Sequence, residues 1–373
     1  MQEAEVALLN VLSKCLFENS TNMTVPGDVM KEAKLQAVST LIAVDEYQML
    51  ANNMLVVSAH EEITRLLEGI PFVTVKGFAS AYYYPQPLKR PMGDVDVYVD
   101  PQYYDDVIAV ITTNGFVKQE NHQERHLAFR KNEIVYEIHN SLKGVPDSVG
   151  RPVVNDKVNK ALDVFMESLV PSARKVKAQK GEVIIPDDYH HGVIMLMHIA
   201  GHLLESGGIG LRHICDWAVY ARQVSLEPFQ KELKELGLWK FACQLTALCT
   251  RYLGLEEMPW AGHWDDAFLE EFMEDILKAG NFGTKSGGRI LNVKMANAES
   301  FWEPFISRVN QKYPKMAKHK WLFPIQVIRY VFFYFRMQIS HHRPLNFSFV
   351  KEGQKRKALY DQFCLYESDG AMD

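Results

Sequence analysis

Several features that would place the chain in a specialised class are missing. The five cysteines, Cys15, Cys215, Cys243, Cys249 and Cys364, are odd in number and scattered, with no Cys-x-x-Cys or zinc-ribbon spacing. Neither a disulfide framework nor a cysteine-based metal site is expected; reduced thiols in a cytoplasmic protein are. Positive charge is not in excess. Lys and Arg number 41 against 46 Asp and Glu, a net charge of −5, which argues against a nucleic-acid binder that works by bulk charge and leaves small anionic ligands open. The opening "MQEAEVALLN" carries Glu3 and Glu5 where an export signal carries lysine, so export is not expected. No apolar run is long enough to span a membrane. The most apolar stretch, "WLFPIQVIRYVFFYFRMQ" at 321–338, is interrupted by Pro324, Arg329 and Arg336 and falls short of the ~20 residues a span needs. A buried, aromatic-rich helix is expected there, with a helix lying on a membrane surface as the alternative. Fixed-period repeats are also absent, which excludes solenoid architectures.

What remains is an ordinary globular composition, 373 residues of which 47% are hydrophobic, enough to bury a sizeable core. Residues 1–70 repeat helical patterning in "EAEVALLNVLSKCLF", "VMKEAKLQAVSTLIAV" and "MLVVSAHEEITRLLEGI". The texture then changes to short, β-branched, alternating segments: "PFVTVKG", "DVDVYVD", "HLAFRK" and "EIVYEIHNSL". "VTVKGFASAYYY" runs from strand into helix, and "PQYYDDVIAVITTNGF" reads as a helix with Pro101 in its first turn and Gly115 closing it. Residues 71–143 therefore form a small α/β unit, and 144–373 read as a helical domain that includes "VNDKVNKALDVFMESL", "DDYHHGVIMLMHIAGHLLESG" and "GLRHICDWAVYARQV". The expected fold class is α+β: a small mixed sheet between an N-terminal helical layer and a C-terminal helical domain.

Charge is unevenly placed late in the chain. Acids fill Glu256 to Asp275 without a Lys or Arg, and bases dominate from Arg308 to Tyr360. The two stretches read either as complementary solvated faces or as a basic wall toward an anionic substrate.

The chemistry-bearing pattern is "RPMGDVDVYVD" at 90–100. In an extended strand Asp94 and Asp96 point to one face, about 6.6 Å apart along the backbone, while Val95, Val97 and Val99 point to the other. Two carboxylates this close repel unless a cation lies between them. Mg²⁺ takes one or two carboxylates together with substrate phosphates. A third carboxylate would allow two metal ions to clamp an in-line phosphoryl displacement, and in "IVYEIHNSL" Glu137 and His139 share one face of a nearby strand. His139 could orient Glu137 or act as a base. Upstream, Gly77 would let backbone approach a phosphate, with Lys76 beside it, and Arg90 could add a bidentate phosphate contact.

Strand, glycine turn, helix, an Asp-x-Asp strand and a later carboxylate strand together resemble the polymerase-beta-type nucleotidyltransferase superfamily. "VTVKGFASAYYYPQPLKRPMGDVDVYVD" is similar to one bacterial branch, the uncharacterised nucleotidyltransferase family, with its Lys-Gly turn, Tyr-Pro element, Arg and Asp-hydrophobic-Asp strand. The resemblance extends over residues 40–225, including a His-rich helix and an Arg/Asp helix matched by His198, Arg212 and Asp216. It implies Asp94, Asp96 and Glu137 as ligands of Mg²⁺, or of Mn²⁺ in its place, with an NTP as co-substrate and a small molecule or protein as acceptor. Where the superfamily has Ser or Gly after the turn glycine, this chain has Phe78, and Ser80 is the nearest hydroxyl.

Other constellations carry less. His190, His191, His198 and His202 crowd one helix, and His198 with His202 has the i, i+4 spacing of a zinc pair, but no adjacent acid completes the motif. Arg212 and Asp216 could form an i, i+4 ion pair, or Arg212 could reach a triphosphate. "GGIG" at 207–210 reads as a turn between helices, and "HHRPLNF" as a turn with no further signal. Two rival readings accompany the transferase: a catalytically weak nucleotide-binding or partner-neutralising module of the same fold, and a metal-dependent phosphate-ester hydrolase.

Overall fold

The computed structural model describes residues 46–119, 126–142, 156–205, 208–280, 306, 309–310, 312–313, 320–340 and 348–367. The first two helical patterns and "HHRPLNF" lie outside these residues. The third helical pattern becomes α1, Glu46–Leu66. Val56 and Ile63 are fully buried on its inner side, followed by Leu67 just past its end, as the 3.6-residue period requires.

The sheet is built as the alternation suggests. β1 (Phe72–Val75) leads into the five-residue α2 (Gly77–Ala81), then β2 (Asp94–Val99) and α3 (Tyr104–Thr113). Pro101 sits in a 3₁₀ turn before α3, and Asp100 accepts the Gln102 N–H there at 3.0 Å. β3 (Val117–Lys118), β4 (His126–Lys131) and β5 (Ile134–His139) complete five strands in the order β1-β2-β5-β4-β3. β2 pairs antiparallel with β1 and parallel with β5, so the sheet is mixed and β2 is flanked on both sides.

The two faces of the sheet have separate partners. Val95, Val97, Val99, Tyr136 and Ile138 pack with α1 and α3, and with a hairpin, β6 (Arg174–Lys177) and β7 (Glu182–Ile185). On the opposite face Val73, Val75 and Tyr98 belong to the larger helical core. That core gathers α4 (Asp156–Leu169), α5 (Asp188–Glu205), α6 (Leu211–Ala221), α7 (Gln230–Glu235), α8 (Trp239–Leu253), α9 (Asp266–Ala279) and part of α11 (Ser348–Asp361). α1, from the N-terminal helical layer, thus shares a core with the sheet. The chain after α11 returns to Gly237, whose carbonyl accepts the Tyr366 N–H at 2.9 Å.

Three features differ from the sequence reading. β3 was not expected, and the β6–β7 hairpin occupies a stretch read as turn residues following one helix. Lysines hid the hairpin: "RKVK" shows only one buried residue, Val176. Its turn is held from α1, where Glu61 Oε1 accepts the Lys180 and Gly181 N–H groups at 2.7 and 2.8 Å. Finally, "WLFPIQVIRYVFFYFRMQ" does form a helix, α10 (Phe323–Ser340), but not a buried one. Among its described side chains Gln326 is buried while Ile328 and Phe332 are 69% and 70% exposed. No helix among the described residues is long and apolar enough to cross a membrane.

The charge asymmetry is partly explained by α9 and α11. Buried Arg356 pairs with Asp275 at 3.0 Å, Tyr360 donates to the same carboxylate at 2.9 Å, and Lys355 reaches Glu271 at 3.3 Å.

Candidate functional site

Period-two alternation along β2 sends Val95, Val97 and Val99 into the core under the sheet, and so sends Asp94 and Asp96 to the face with Tyr98 that looks toward the helices. On β5 the same rule puts Glu137 and His139 opposite Tyr136 and Ile138. The parallel register then places Asp96 directly beside Glu137, and Asp94 beside Val135. The three acids thus share one face.

They do so with partial compensation. Lys76 Nζ lies 2.6 Å from Asp96 Oδ1, and His139 Nε2 lies 2.8 Å from the same oxygen. His139 also approaches Glu137 at 3.5 Å, and His126, its antiparallel neighbour on β4, approaches Glu137 at 3.4 Å. Burial alone would push the Asp96 carboxyl up, but Lys76 and His139 outweigh it and hold it below the usual range. Bonds from His126 and His139 keep Glu137 well below its ordinary value. Burial opposes charge on His139, yet Asp96 and Glu137 prevail and raise its pKa. Asp94 fares differently: burial and the nearby Asp96 charge push it up to about 6. One carboxylate of the three therefore lacks adequate counter-charge, the situation a bound cation relieves.

Lys76 takes its position from unusual backbone. It has φ 55, a left-handed conformation rare for a residue with a side chain, and Gly77 follows at φ 22. A Cβ on Gly77 would sit 3.3 Å from the Asp94 carbonyl and 3.6 Å from His60 Nε2, so glycine lets β1 turn tightly against β2. His60, on α1 beneath this turn, is fully buried with neither ring nitrogen hydrogen-bonded, and burial lowers its pKa to about 4.

The segment before β2 is tied from two sides. Asn53 of α1, fully buried, donates to the Leu88 and Arg90 carbonyls at 2.6 and 2.9 Å and accepts the Met92 N–H at 2.9 Å. Arg90 forms a bidentate pair with Asp216 of α6, Nε and Nη2 each at 2.7 Å, and its Nη1 donates to the Gly77 carbonyl at 3.1 Å. Tyr84 donates to Asp216 Oδ1 at 2.8 Å. Burial opposes charge on Asp216, but Arg90 outweighs it and lowers its pKa. Arg90 is thus engaged by protein groups while also lining the cleft. Asp216 lies one turn after Arg212 on α6 and takes the Arg90 fork.

Facing the acids, α5 and α6 close a cleft of about 260 Å³, near the lower end of ligand-pocket volumes. Its sheet-side lining includes Lys76, Gly77, Asp94 and Asp96; its helix-side lining includes His198, His202 and Arg212. Of the residues picked out from sequence, Asp94, Asp96, Glu137 and His139 converge on one sheet face. Lys76 and Gly77 adjoin them at the turn, Arg212 faces them, and Arg90 is built into the wall. Burial lowers the pKa values of His198, His202 and His213, that of His202 to about 3. His191 stacks on Tyr83 with ring centroids 4.9 Å apart.

Sequence reasoning passed over His126 and Asn53, and took Tyr84 only as the Tyr of the Tyr-Pro element. Alternation in "HLAFRK" could have put His126 on the Glu137 face. Asn53 offered no signal, because its value depends on where a loop 35 or more residues away comes to rest.

No curated protein and no solved structure matches this chain. A family model described as uncharacterised nucleotidyltransferase matches residues 25–254. That span runs from before α1 to the end of α8. It includes both walls of the cleft and covers more than half of the sequence. On that match the chain belongs to the uncharacterised nucleotidyltransferase family.

Proposed function

We propose that the protein is a polymerase-beta-type nucleotidyltransferase that moves a nucleoside monophosphate from an NTP to the hydroxyl of a small-molecule or protein acceptor. The acceptor oxygen bonds to the α-phosphorus, the bond from that phosphorus to the bridging oxygen breaks, pyrophosphate leaves, and the acceptor's proton passes to water. The observation that carries this reading is the in-register pairing of Asp96 with Glu137, with Asp94 on the same face. Those carboxylates suit a hard divalent cation, and the upward shift of Asp94 to about 6 marks negative charge still in need of a partner. Mg²⁺, or Mn²⁺ in its place, held by Asp94, Asp96 and Glu137 would draw charge from the phosphoryl group in transfer.

The chain's own groups act mainly by position. Lys76 supplies fixed positive charge at the turn, and Gly77 allows close approach of backbone. His139 holds Asp96 and Glu137 in a fixed relation. Arg212 stands on the facing wall to meet phosphate or acceptor. Cys215, Cys243, Cys249 and Cys364 form no disulfide among the described residues, and the same reading puts the protein in a reducing, cytoplasmic setting.

A second reading, a nucleotide-binding module with weak transfer, is favoured by one contact: Lys76 already neutralises Asp96 at 2.6 Å. One experiment separates the readings. The protein is incubated with Mg²⁺, each labelled NTP and cell extract, followed by mass spectrometry and a pyrophosphate assay. A nucleotide-sized mass addition with pyrophosphate release supports the transferase. NTP binding by calorimetry without pyrophosphate would replace it with the binding module, and free phosphate with a hydrolase.

A further inference from the structure

The helix-side wall of the cleft carries a donor set that nucleotidyl transfer does not use. α5 presents His198 and His202 one turn apart, and His213 arrives from the first turn of α6. Their ring centroids are 4.6 Å (198–202), 5.6 Å (198–213) and 4.8 Å (202–213) apart. One nitrogen from each ring falls within 4.8 Å of the other two. All three side chains are half-buried and line the cleft that also holds Asp94 and Asp96.

As an ordinary core histidine His202 is poorly provided for. His202 Nδ1 is buried with no hydrogen-bond partner, a costly state for a polar atom. His213 Nδ1 accepts the Gly210 N–H at 3.1 Å. The trio contains no carboxylate and no thiolate. Imidazole-only sites take borderline transition metals and discriminate against Mg²⁺. Three histidines with one position left open is also an arrangement in which zinc holds an exchangeable oxygen ligand.

We propose that His198, His202 and His213 form a transition-metal site for Zn²⁺, distinct from the carboxylate cluster, with its remaining coordination position open to the cleft. An oxygen donor entering the cleft completes the ion's shell. This assignment does not depend on what reaction the carboxylates serve.

The test uses the full chain, stripped of metal and kept in excess Mg²⁺ so that the carboxylates are engaged, and titrated with Co²⁺ as a spectroscopic substitute. One equivalent of Co²⁺ is expected to give the intense visible bands of four-coordinate geometry, to be displaced by Zn²⁺, and to persist in Asp94→Asn. Affinity should fall at least ~10-fold in His202→Gln and in His213→Gln. Sub-stoichiometric uptake by the unaltered protein, bands unchanged in both histidine variants, or bands lost in Asp94→Asn would overturn the site. Should a histidine variant fail to fold by circular dichroism, X-ray absorption on the Zn²⁺-loaded unaltered protein decides. A shell dominated by imidazole supports the proposal, and one dominated by carboxylate refutes it.

Discussion

Asp96 of β2 and Glu137 of β5 stand side by side across a parallel pair of strands, and His139 bridges them, 2.8 Å from the first and 3.5 Å from the second. Parallel pairing brings together acids that are far apart in sequence, and the same register leaves Asp94 one step along the strand with no such bridge. The cluster is thus asymmetric: two acids are compensated from within the protein, and one only in part.

That asymmetry separates two substitutions. Without metal near pH 8, Asp94→Asn removes repulsion and should raise the melting temperature. Asp96→Asn deprives Lys76 and His139 of their shared partner and should lower stability by about 3 kcal/mol or more. Both should cut nucleotidyl transfer at least ~100-fold, about 2.7 kcal/mol of transition-state stabilisation. Thermal melts and transfer rates measured in parallel check this; an Asp94→Asn protein that transfers normally would remove the cluster from the chemistry.

Arg90 and Asp216 form the tie between the sheet and the helical wall. Arg90→Ala strands a buried carboxylate and should reduce unfolding free energy by about 3–5 kcal/mol, and Arg90→Lys, which lacks the fork, by less. A double replacement by apolar residues should recover part of the loss. Urea unfolding measures all three, and an Arg90→Ala protein as stable as the original would mean that the tie contributes nothing.

Acid should loosen the turn at Lys76 and Gly77 from below. His60 titrates at about 4 in the fold against 6.5 in an exposed chain. Between those values the unfolded chain holds the extra proton, so stability falls as pH drops from about 6.5, by on the order of 3 kcal/mol once pH is below about 4. His191, lowered to about 3 by burial, adds to the same trend. Stability measured from pH 7.5 to 4 should decline less steeply in His60→Leu; equal slopes would contradict the assignment.

Much of this was legible in the sequence because it depends on local period. The α+β class, α1, β1, β2, β4, β5 and α3 follow from alternation, and the common face of Asp94, Asp96, Glu137 and His139 from parity along two strands. What escaped depends on distant partners. The pairing of Arg90 with Asp216 is set by α6, 126 residues on. The contact of Lys76 with Asp96 depends on how the turn sets β1 against β2. α10 is rich enough in aromatics to read as core, yet composition does not say how many of its sides are covered.

The C-terminal return offers a further check. Gly237 has φ +65, and a Cβ there would fall 2.6 Å from the backbone of Tyr366 and Glu367. Gly237→Ala should cost at least ~1 kcal/mol and make the residues after α11 more sensitive to limited proteolysis. Unchanged cleavage kinetics would show that this docking is not needed to hold the tail.

Arg90 lies 126 positions ahead of Asp216. On a ribosome adding about 5–20 residues per second, that interval lasts roughly 6–25 s. Until α6 emerges, the nascent acids lie on an open sheet face without that helix opposite them. Chains halted at that point would display the carboxylates without a closed cleft, so enclosure of the candidate site is a late event in synthesis.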